Sequence, residues 1–505
     1  MLKYFIGTVI VSMLAYSLLI AEDSGAQTGT ISQGGFSMGF GVNSVTFDGK
    51  TWTRVNLFPV IPVWKFKFAF DVEFFIDYEG KFSSKGWDFT TLDSSIDTIL
   101  RKIYYISFSD KNSVLFGNEL FYFRFGALDN SSLGLGIIMN NYANNLYYPM
   151  EKQLGLEFAV GNISPLKIGL EGVINNFGNI AKGGLVFGTR FFLSPLGFLQ
   201  IPILDKIQVG ITYCADLNQY SGLKDSDGDL YPDVVDKFPS NPKYYADSDN
   251  DGTPDEEDLD LDGDNIPDYS NLSLSNKQAL TNFLVSTFNI TTEQAKNMVD
   301  FDVKRASYFN LSNKNDYFSM IGFDIIVPVI SIENTFDLIL YSQFGMNLDI
   351  YQENDTNLLK GWGLAGPGIS IKVLGDMLNA KLEYRKRVDK FEAGYFGRLY
   401  DKERTVLINQ IPITKDNYID MVGINSANGI YGEITANLFI IYAYGSLEYL
   451  VPELTAVNLA NMDATFQAKA YLNTNIINQI PVVKDYIDNV EGYFINKNIS
   501  SFTNF

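Results

Sequence analysis

Histidine is absent from this 505-residue sequence, and cysteine occurs once, as Cys214. A structural zinc site draws on several Cys or His ligands, so the ligand supply excludes one. No imidazole is available to activate a serine or a thiol, which excludes hydrolysis of the Ser-His-Asp or Cys-His kind. The G-x-S-x-G pattern in GFSMG, Gly35–Gly39, is therefore expected to be fortuitous. A single cysteine also excludes an intrachain disulfide framework. Positive charge is scarce as well: 38 Lys and Arg stand against 59 Asp and Glu, with no basic patch, so nucleic acid is not an expected partner. No catalytic constellation emerges, and the chain reads as a non-enzyme.

Long apolar runs are missing too, with one exception. Lys3 precedes the run Tyr4–Ile20, and small residues follow at Ala21, Ser24, Gly25 and Ala26. This is the layout of a secretory leader spanning 1–26, cut near Ala21 or Ala26; the competing reading is a retained anchor helix. Nothing beyond it reaches the ~18 apolar residues of a membrane helix. The expectation is an exported chain without a helical span.

What is present is alternation. In WKFKFAFDVEFFIDY, Trp64–Tyr78, the residues Trp64, Phe66, Phe68, Phe70, Val72, Phe74, Ile76 and Tyr78 alternate with Lys65, Lys67, Ala69, Asp71, Glu73, Phe75 and Asp77. Period two is the signature of a strand. Fifteen such residues are long for a soluble sheet and sufficient for a tilted membrane-crossing strand, which needs ~9–11. The aromatic face would then meet lipid, with Lys65, Lys67, Asp71 and Glu73 lining a wet interior. Weaker alternation recurs at Leu154–Val160, Ile207–Tyr213, Ile369–Val373, Lys381–Arg385 and Ile434–Tyr442. DNSS, NNYANN, NNFGN and NSANG supply turn signals between them. The 39 Phe and 30 Tyr suit aromatic girdles, against only 4 Trp. The terminal Phe505 resembles the final aromatic of bacterial outer-membrane barrels. GWGLAG, Gly361–Gly366, matches G-x-G-x-x-G but runs into Pro367, so a glycine-rich turn is expected there. QIPI at Gln200–Ile203 and Gln410–Ile413, with QIPV at Gln479–Val482, is read as equivalent turns on one rim.

The acidity is concentrated. Between Asp225 and Asp268 sixteen Asp and Glu face two Lys, Lys237 and Lys243, a net −14 of the chain's −21. The aspartates form three registered sets. Asp225, Asp227, Asp229 and Asp233 make the first, Asp247, Asp249, Asp251 and Asp255 the second, Asp260, Asp262, Asp264 and Asp268 the third. Each occupies positions 1, 3, 5 and 9, with Pro232, Pro254 or Pro267 at position 8; Asp236 and Asp258 add position 12 to the first two. Alternate carboxylates in a turning loop can converge on one hard cation, which converts their mutual repulsion into attraction. EF-hand geometry does not fit, because Gly stands at position 6 only once and the prolines preclude flanking helices. The stretch resembles the thrombospondin type 3 repeats found in bacterial outer-membrane proteins of the OmpA type. That resemblance implies Ca²⁺ as the cofactor and these aspartates as its ligands. It ends near Tyr269, where a helical stretch, Ser275–Val299, follows with a cap at Thr291.

The expected fold is all-β: a transmembrane antiparallel barrel of about 14–18 strands, interrupted by the calcium module. Residues 27–222 would form its first half, 223–270 the module, 271–302 a helical connector and 303–505 the second half. Such a chain would sit in the outer membrane, with lipid and calcium as partners, as a porin-like, structural or adhesive surface protein. The alternative is a soluble, secreted, calcium-dependent adhesion protein with two β domains and an extracellular or periplasmic protein partner.

Overall fold

The computed structural model describes residues 37–297, 308–348, 361–452, 463–472 and 491–496. The exceptions within these ranges are 48–49, 84–86, 92–93, 96–97, 99–101, 118, 148–151, 183, 200, 259–260, 262, 264–273, 313, 333–334, 375–376, 423–425 and 439–440. The leader (1–26), the third aspartate set apart from its loop glycine Gly263, and the QIPV stretch lie outside the described residues. The chain divides into two compact units: Met1–Asp216, Phe318–Asp401 and Ile419–Phe505 form one, Leu217–Tyr317 and Lys402–Tyr418 the other.

The first unit is one antiparallel sheet. Its strands are β1 (Ser37–Phe47), β2 (Lys50–Val63), β3 (Phe66–Phe70), β4 (Val72–Ile76), β5 (Ile103–Phe108) and β6 (Phe121–Gly126). After the two-residue β7 (Met139–Asn140) come β8 (Gly155–Ile163), β9 (Ile168–Ile174), β10 (Val186–Leu193) and β11 (Gln208–Asp216). Next are β12 (Phe318–Ile332), β13 (Phe336–Leu348), β14 (Gly361–Val373) and β15 (Leu378–Asp389). After the short β16 (Phe396–Gly397) the chain makes β17 (Thr405–Ile408) and β18 (Ile411–Thr414) of the second unit, then returns to the first as β19 (Ala427–Leu438), β20 (Ile441–Pro452), β21 (Asp463–Leu472) and β22 (Glu491–Asn496). Apart from β7, β16, β17 and β18, all belong to one 18-stranded sheet in which each strand pairs with its neighbour in the chain. β3 and β4 share one position, since both pair with β2.

β11 pairs with β12 along its whole length, from Gln208 opposite Ile326 to Asp216 opposite Phe318. The two halves of the chain are therefore one sheet and not two β domains, and the acidic stretch is an excursion between adjacent strands.

The faces of this sheet are sorted in an unusual sense. On β10, Arg190 and Phe192 are buried while Phe191 is 45% exposed. On β15, Glu383 and Arg385 are buried between exposed Leu382 and Tyr384. The register lines the outward residues up: Phe121, Val160, Leu170, Phe191, Ile211, Phe323, Phe344 and Leu364 are successive partners across eight strands, β6 to β14. Leu170, Phe191, Ile211 and Phe323 in that row are 39–47% exposed. Charge is on the other face. Arg190 donates to both carboxylate oxygens of Asp324, at 2.8 and 2.7 Å, and to Glu171 at 2.6 Å. Lys111 bridges Glu157 at 2.8 Å and Glu171 at 3.1 Å.

Two loops fold over this inner face. Residues 127–147 leave β6 and place Leu128, Leu133, Ile137, Ile138, Met139 and Tyr142 in a dry cluster against Val173, Val186, Cys214, Phe318, Met320 and Ala365 of β9–β12 and β14. Residues 390–401, after β15, add Phe391, Tyr395, Phe396 and Tyr400 to the same cluster. The loops are joined by the parallel pairing of β7 with β16. The helical turn α1 (Lys111–Leu115) covers the opposite end of the strands, and Lys111 reaches the Ser132 carbonyl at 2.5 Å.

The same loop touches strands far apart in the sheet. Asp129 and Asn145 bond the Tyr104 hydroxyl of β5 at 3.3 and 2.9 Å, and Asn141 reaches the Tyr444 hydroxyl of β20 at 3.5 Å. Along the sheet, β5 and β20 are eleven strand spacings apart, about 50 Å at ~4.8 Å each. A flat sheet could not bring both to one loop, so this sheet curls around it.

Several expectations are corrected here. Trp64–Tyr78 is not one strand: Trp64 turns at φ 57 between β2 and β3, and the strand breaks at buried Asp71. Asp71 and Glu73 do lie inward, held by Lys152 and Arg54, whereas Lys65 sits in the turn beside Glu119 and Lys67 is exposed. The stripe Ile434–Tyr442 is two strands, β19 and β20. GWGLAG is the start of β14, and its Gly363 leaves room for the Phe391 ring, which an added Cβ would meet at 2.3 Å. Ser37 of GFSMG opens β1, with no helix following it. The two described QIP segments are not equivalent, since Ile203 lies in the β10–β11 connection and Ile411–Ile413 in β18.

Candidate metal centre

The second unit holds the aspartate repeats, the helices α2 (Leu274–Phe288) and α3 (Thr292–Asn297), and the hairpin β17–β18. Thr291 and Gln294 form a reciprocal cap on α3, with the Gln294 amide donating to the Thr291 hydroxyl at 3.2 Å and the Thr291 amide to the Gln294 side chain at 2.9 Å. The hairpin is bound in by polar contacts that no sequence pattern announced. Gln219 donates to Asp416 at 2.7 Å, Asn417 to Asp316 at 2.8 Å, and Arg404 to the Asn218 carbonyl at 2.9 Å.

The first two aspartate sets fold alike, residue for residue. At position 6, the Leu230 and Gly252 amides donate to the position 1 carboxylates of Asp225 and Asp247, each at 3.1 Å. Both residues have positive φ, 78° and 94°. Glycine tolerates that conformation freely and leucine only under constraint. Each position 5 carboxylate accepts the amide two residues on, Tyr231 at 2.8 Å and Thr253 at 2.6 Å. Each position 9 carboxylate clasps the serine at position 2: Asp233 accepts from the Ser226 amide and hydroxyl, both 2.7 Å, and Asp255 from those of Ser248, both 2.8 Å. After the proline, one helical turn brings the Asp236 and Asp258 amides to the Pro232 and Pro254 carbonyls, each at 3.0 Å. Tyr231 and Tyr245 stack at 3.6 Å between the repeats.

This geometry divides the candidate ligands. Asp225, Asp227 and Asp229 have carboxylate oxygens within 4.8 Å of one another, as do Asp247, Asp249 and Asp251. Asp236 is 8% exposed, and its Oδ1 accepts from the Phe238 amide at 2.7 Å. Its Oδ2 is buried without a hydrogen-bond partner, as are Asp227 Oδ2 and Asp247 Oδ1. A buried carboxylate oxygen without a donor is costly unless something positive meets it. Burial and the charges of Asp229, Asp227 and Asp233 push the Asp236 pKa up to about 6, against the pull of the Phe238 amide. Burial and the Asp227 and Asp225 charges likewise raise that of Asp229, despite the Tyr231 amide. Asp233 goes the other way: burial opposes its charge, but the Ser226 hydroxyl and amide and Lys224 hold its pKa below the usual carboxylate range. Asp233 and Asp255 thus act as clasps that shape the loops. The carboxylates gathered to face a cation are those of positions 1, 3 and 5, joined in the first set by the orphaned Asp236 Oδ2 at position 12.

No protein family matches this sequence, and no curated protein is found to resemble it. The donor set itself carries the chemical argument. Clustered hard carboxylates with orphaned, buried oxygens fit Ca²⁺, which takes 6–8 oxygen ligands in flexible loops. Asp260, Asp262, Asp264 and Asp268 lie outside the described residues, although Gly263, at position 4 of their set, abuts Asp249: an added Cβ would stand 2.9 Å from its Oδ2.

Proposed function

We propose that this chain is an outer-membrane β-barrel protein that carries a calcium-stiffened module on the outer surface of the cell, where it serves a structural or adhesive role. The observation that carries the reading is the sorting of side chains: exposed apolar rows on one face, paired charges on the other. A soluble sheet does the reverse. Exposed apolar surface of this extent marks a membrane or interaction face, and the apolar-out, polar-in alternation is that of a membrane barrel. Among the described residues no helix is long and apolar enough to cross a membrane. In this reading the strands do the crossing and close into a ring around the inward loops.

Connection lengths support an orientation. At one end of the strands the links are 64–65, 109–120, 164–167, 194–207, 333–335, 374–377, 439–440 and 473–490; at the other they are 48–49, 77–102, 127–154, 175–185, 217–317, 349–360, 390–426 and 453–462, the longer set on the whole. Membrane barrels keep short turns on the periplasmic side and long loops outside. Among the described residues nine strand positions precede the module, namely β1, β2, the shared position of β3 and β4, β5, β6, β8, β9, β10 and β11. An odd number agrees with an outside module for a chain that enters from the periplasm. The repeats' resemblance to thrombospondin type 3 modules then supplies calcium as the stiffening ion. A porin-like passage is the second reading, favoured by the charged inner wall.

Whole cells producing the protein test this reading. External trypsin is expected to cut at Lys237 and Lys243 once calcium is chelated, and the extracted protein to show heat-modifiable gel mobility. Cleavage only after the outer membrane is permeabilised, or mobility unchanged by heating, would reject it.

A further inference from the structure

We propose that residues 127–147 and 390–401 form a two-part plug that shuts the interior of the barrel to solutes, so that the passage conducts only when the plug is displaced. The inference rests on the barrel reading and adds what the interior does. The segments are built to stay inside. Leu133, Ile138, Met139, Tyr142, Phe391, Tyr395 and Phe396 are each at most 2% exposed and pack on an apolar patch of an inner face that elsewhere carries Glu171, Arg190 and Asp324. The wall gives way to them: Gly188, Gly322 and Gly345 lie beneath Leu133, Ile138 and Phe391, where an added Cβ would approach their side chains at 2.5–2.9 Å. Polar latches fix the register. The Gln343 side-chain oxygen on β13 accepts from the Leu135 and Ile137 amides at 3.2 and 3.3 Å, and Lys381 on β15 donates to the Leu135 carbonyl at 2.5 Å. The two segments also hold each other, through Gly394 and Phe396 amides to the Ile137 and Ile138 carbonyls at 2.8 and 3.1 Å, and through Arg398 to the Asp129 carbonyl at 3.0 Å. Tyr400 ties the second segment to Asp216 on β11 at 2.8 Å. A loop that merely narrowed a wet channel would present polar side chains to it. This one buries an apolar core there instead, which excludes water.

Cys214 is the reporter that the sequence provides. It is the chain's sole cysteine, it lies under Leu133 and Met139 on the inner wall, and it is fully buried. In the full-length protein reconstituted into planar bilayers with KCl, the wild type is expected to stay near the bare-membrane conductance. A membrane-impermeant maleimide should leave Cys214 unlabelled. Ile138→Asp, which puts a charge into the core, is expected to raise conductance at least tenfold and to expose Cys214. Lys381→Met removes one latch without touching the core, and is expected to label faster than wild type. A heat-modifiable wild type that conducts freely or labels at Cys214 overturns the plug alone. So does a heat-modifiable Ile138→Asp protein that stays shut and unlabelled. If that variant does not fold, Lys381→Met decides, and labelling at the wild-type rate overturns the proposal. A wild type without heat-modifiable mobility removes the barrel and the plug with it.

Discussion

Within one repeat the aspartates divide their labour. Asp233 and Asp255 spend their oxygens on a serine two residues into the loop, while Asp225, Asp227, Asp229 and Asp236 crowd charge together. The sequence showed the spacing that makes both sets and could not show which positions clasp and which are left open, because that depends on where the amides point. Titration calorimetry of the full-length protein is expected to give calcium dissociation constants in the ~10⁻⁴–10⁻³ M range of extracellular modules. Asp236→Asn is expected to weaken binding about tenfold, ~1.4 kcal/mol, and Asp233→Asn to loosen the loop toward trypsin even with calcium present. A pH effect follows from Asp236. Its folded pKa of about 6 lies above the ~3.9 of an unfolded aspartate, so the metal-free module binds the extra proton between these values. Its stabilising contribution is complete below pH ~4 and is lost as the pH rises through about 6. Calcium binding at Asp236, as proposed, would displace that proton, so protection from trypsin by calcium should be greater at pH 7 than at pH 5. Equal protection at both would contradict the assignment.

Among the elements, several alternating strands were legible, whereas Trp64–Tyr78, for all its alternation, hid a turn and a break, and strands under the loops were not legible. β8, β11 and β15 read directly, because outward Phe158, Ile211 and Leu382 alternate with inward Glu157, Thr212 and Glu383. β12 did not, since FSMIGFDIIVPVISI is apolar on both faces. The inner face is apolar there because Ile326 packs with Ile339 and Tyr341 under Phe116 and Leu135, and the extra residue Val329 at the bulge shifts the phase. DNSS and NNYANN were taken as ordinary turns and instead lie within the inward loop, on either side of its apolar stretch. The signal that could have found it is LGLGIIM, Leu133–Met139, an apolar run too short for a strand pair and placed between turn residues. The charged cluster across β9, β10 and β12 gives an element-scale prediction. Arg190→Met leaves Glu171 and Asp324 buried with one cation fewer, and breaking such a network costs about 3–5 kcal/mol. The urea midpoint of the detergent-solubilised protein should fall accordingly, and an unchanged midpoint would show that the pair is dispensable.

For the molecule as a whole, the sequence showed one-faced alternation and a registered acidic insertion, but not that strands on either side of the insertion are partners. Pairing across an excursion of 217–317 leaves no local trace; it is set by register between Gln208–Asp216 and Phe318–Ile326. The central claim is that the exposed apolar rows meet lipid. Arginine at mid-membrane on a lipid-facing strand costs about 2–4 kcal/mol, whereas a substitution at an exposed site in water stays within about 0.5 kcal/mol. The most direct measurement is therefore the unfolding free energy of Ile211→Arg and Phe323→Arg in lipid vesicles, compared with wild type. Losses of about 2 kcal/mol or more in each are the expected result; a chain that folds equally well without vesicles, and is indifferent to both arginines, would contradict the account.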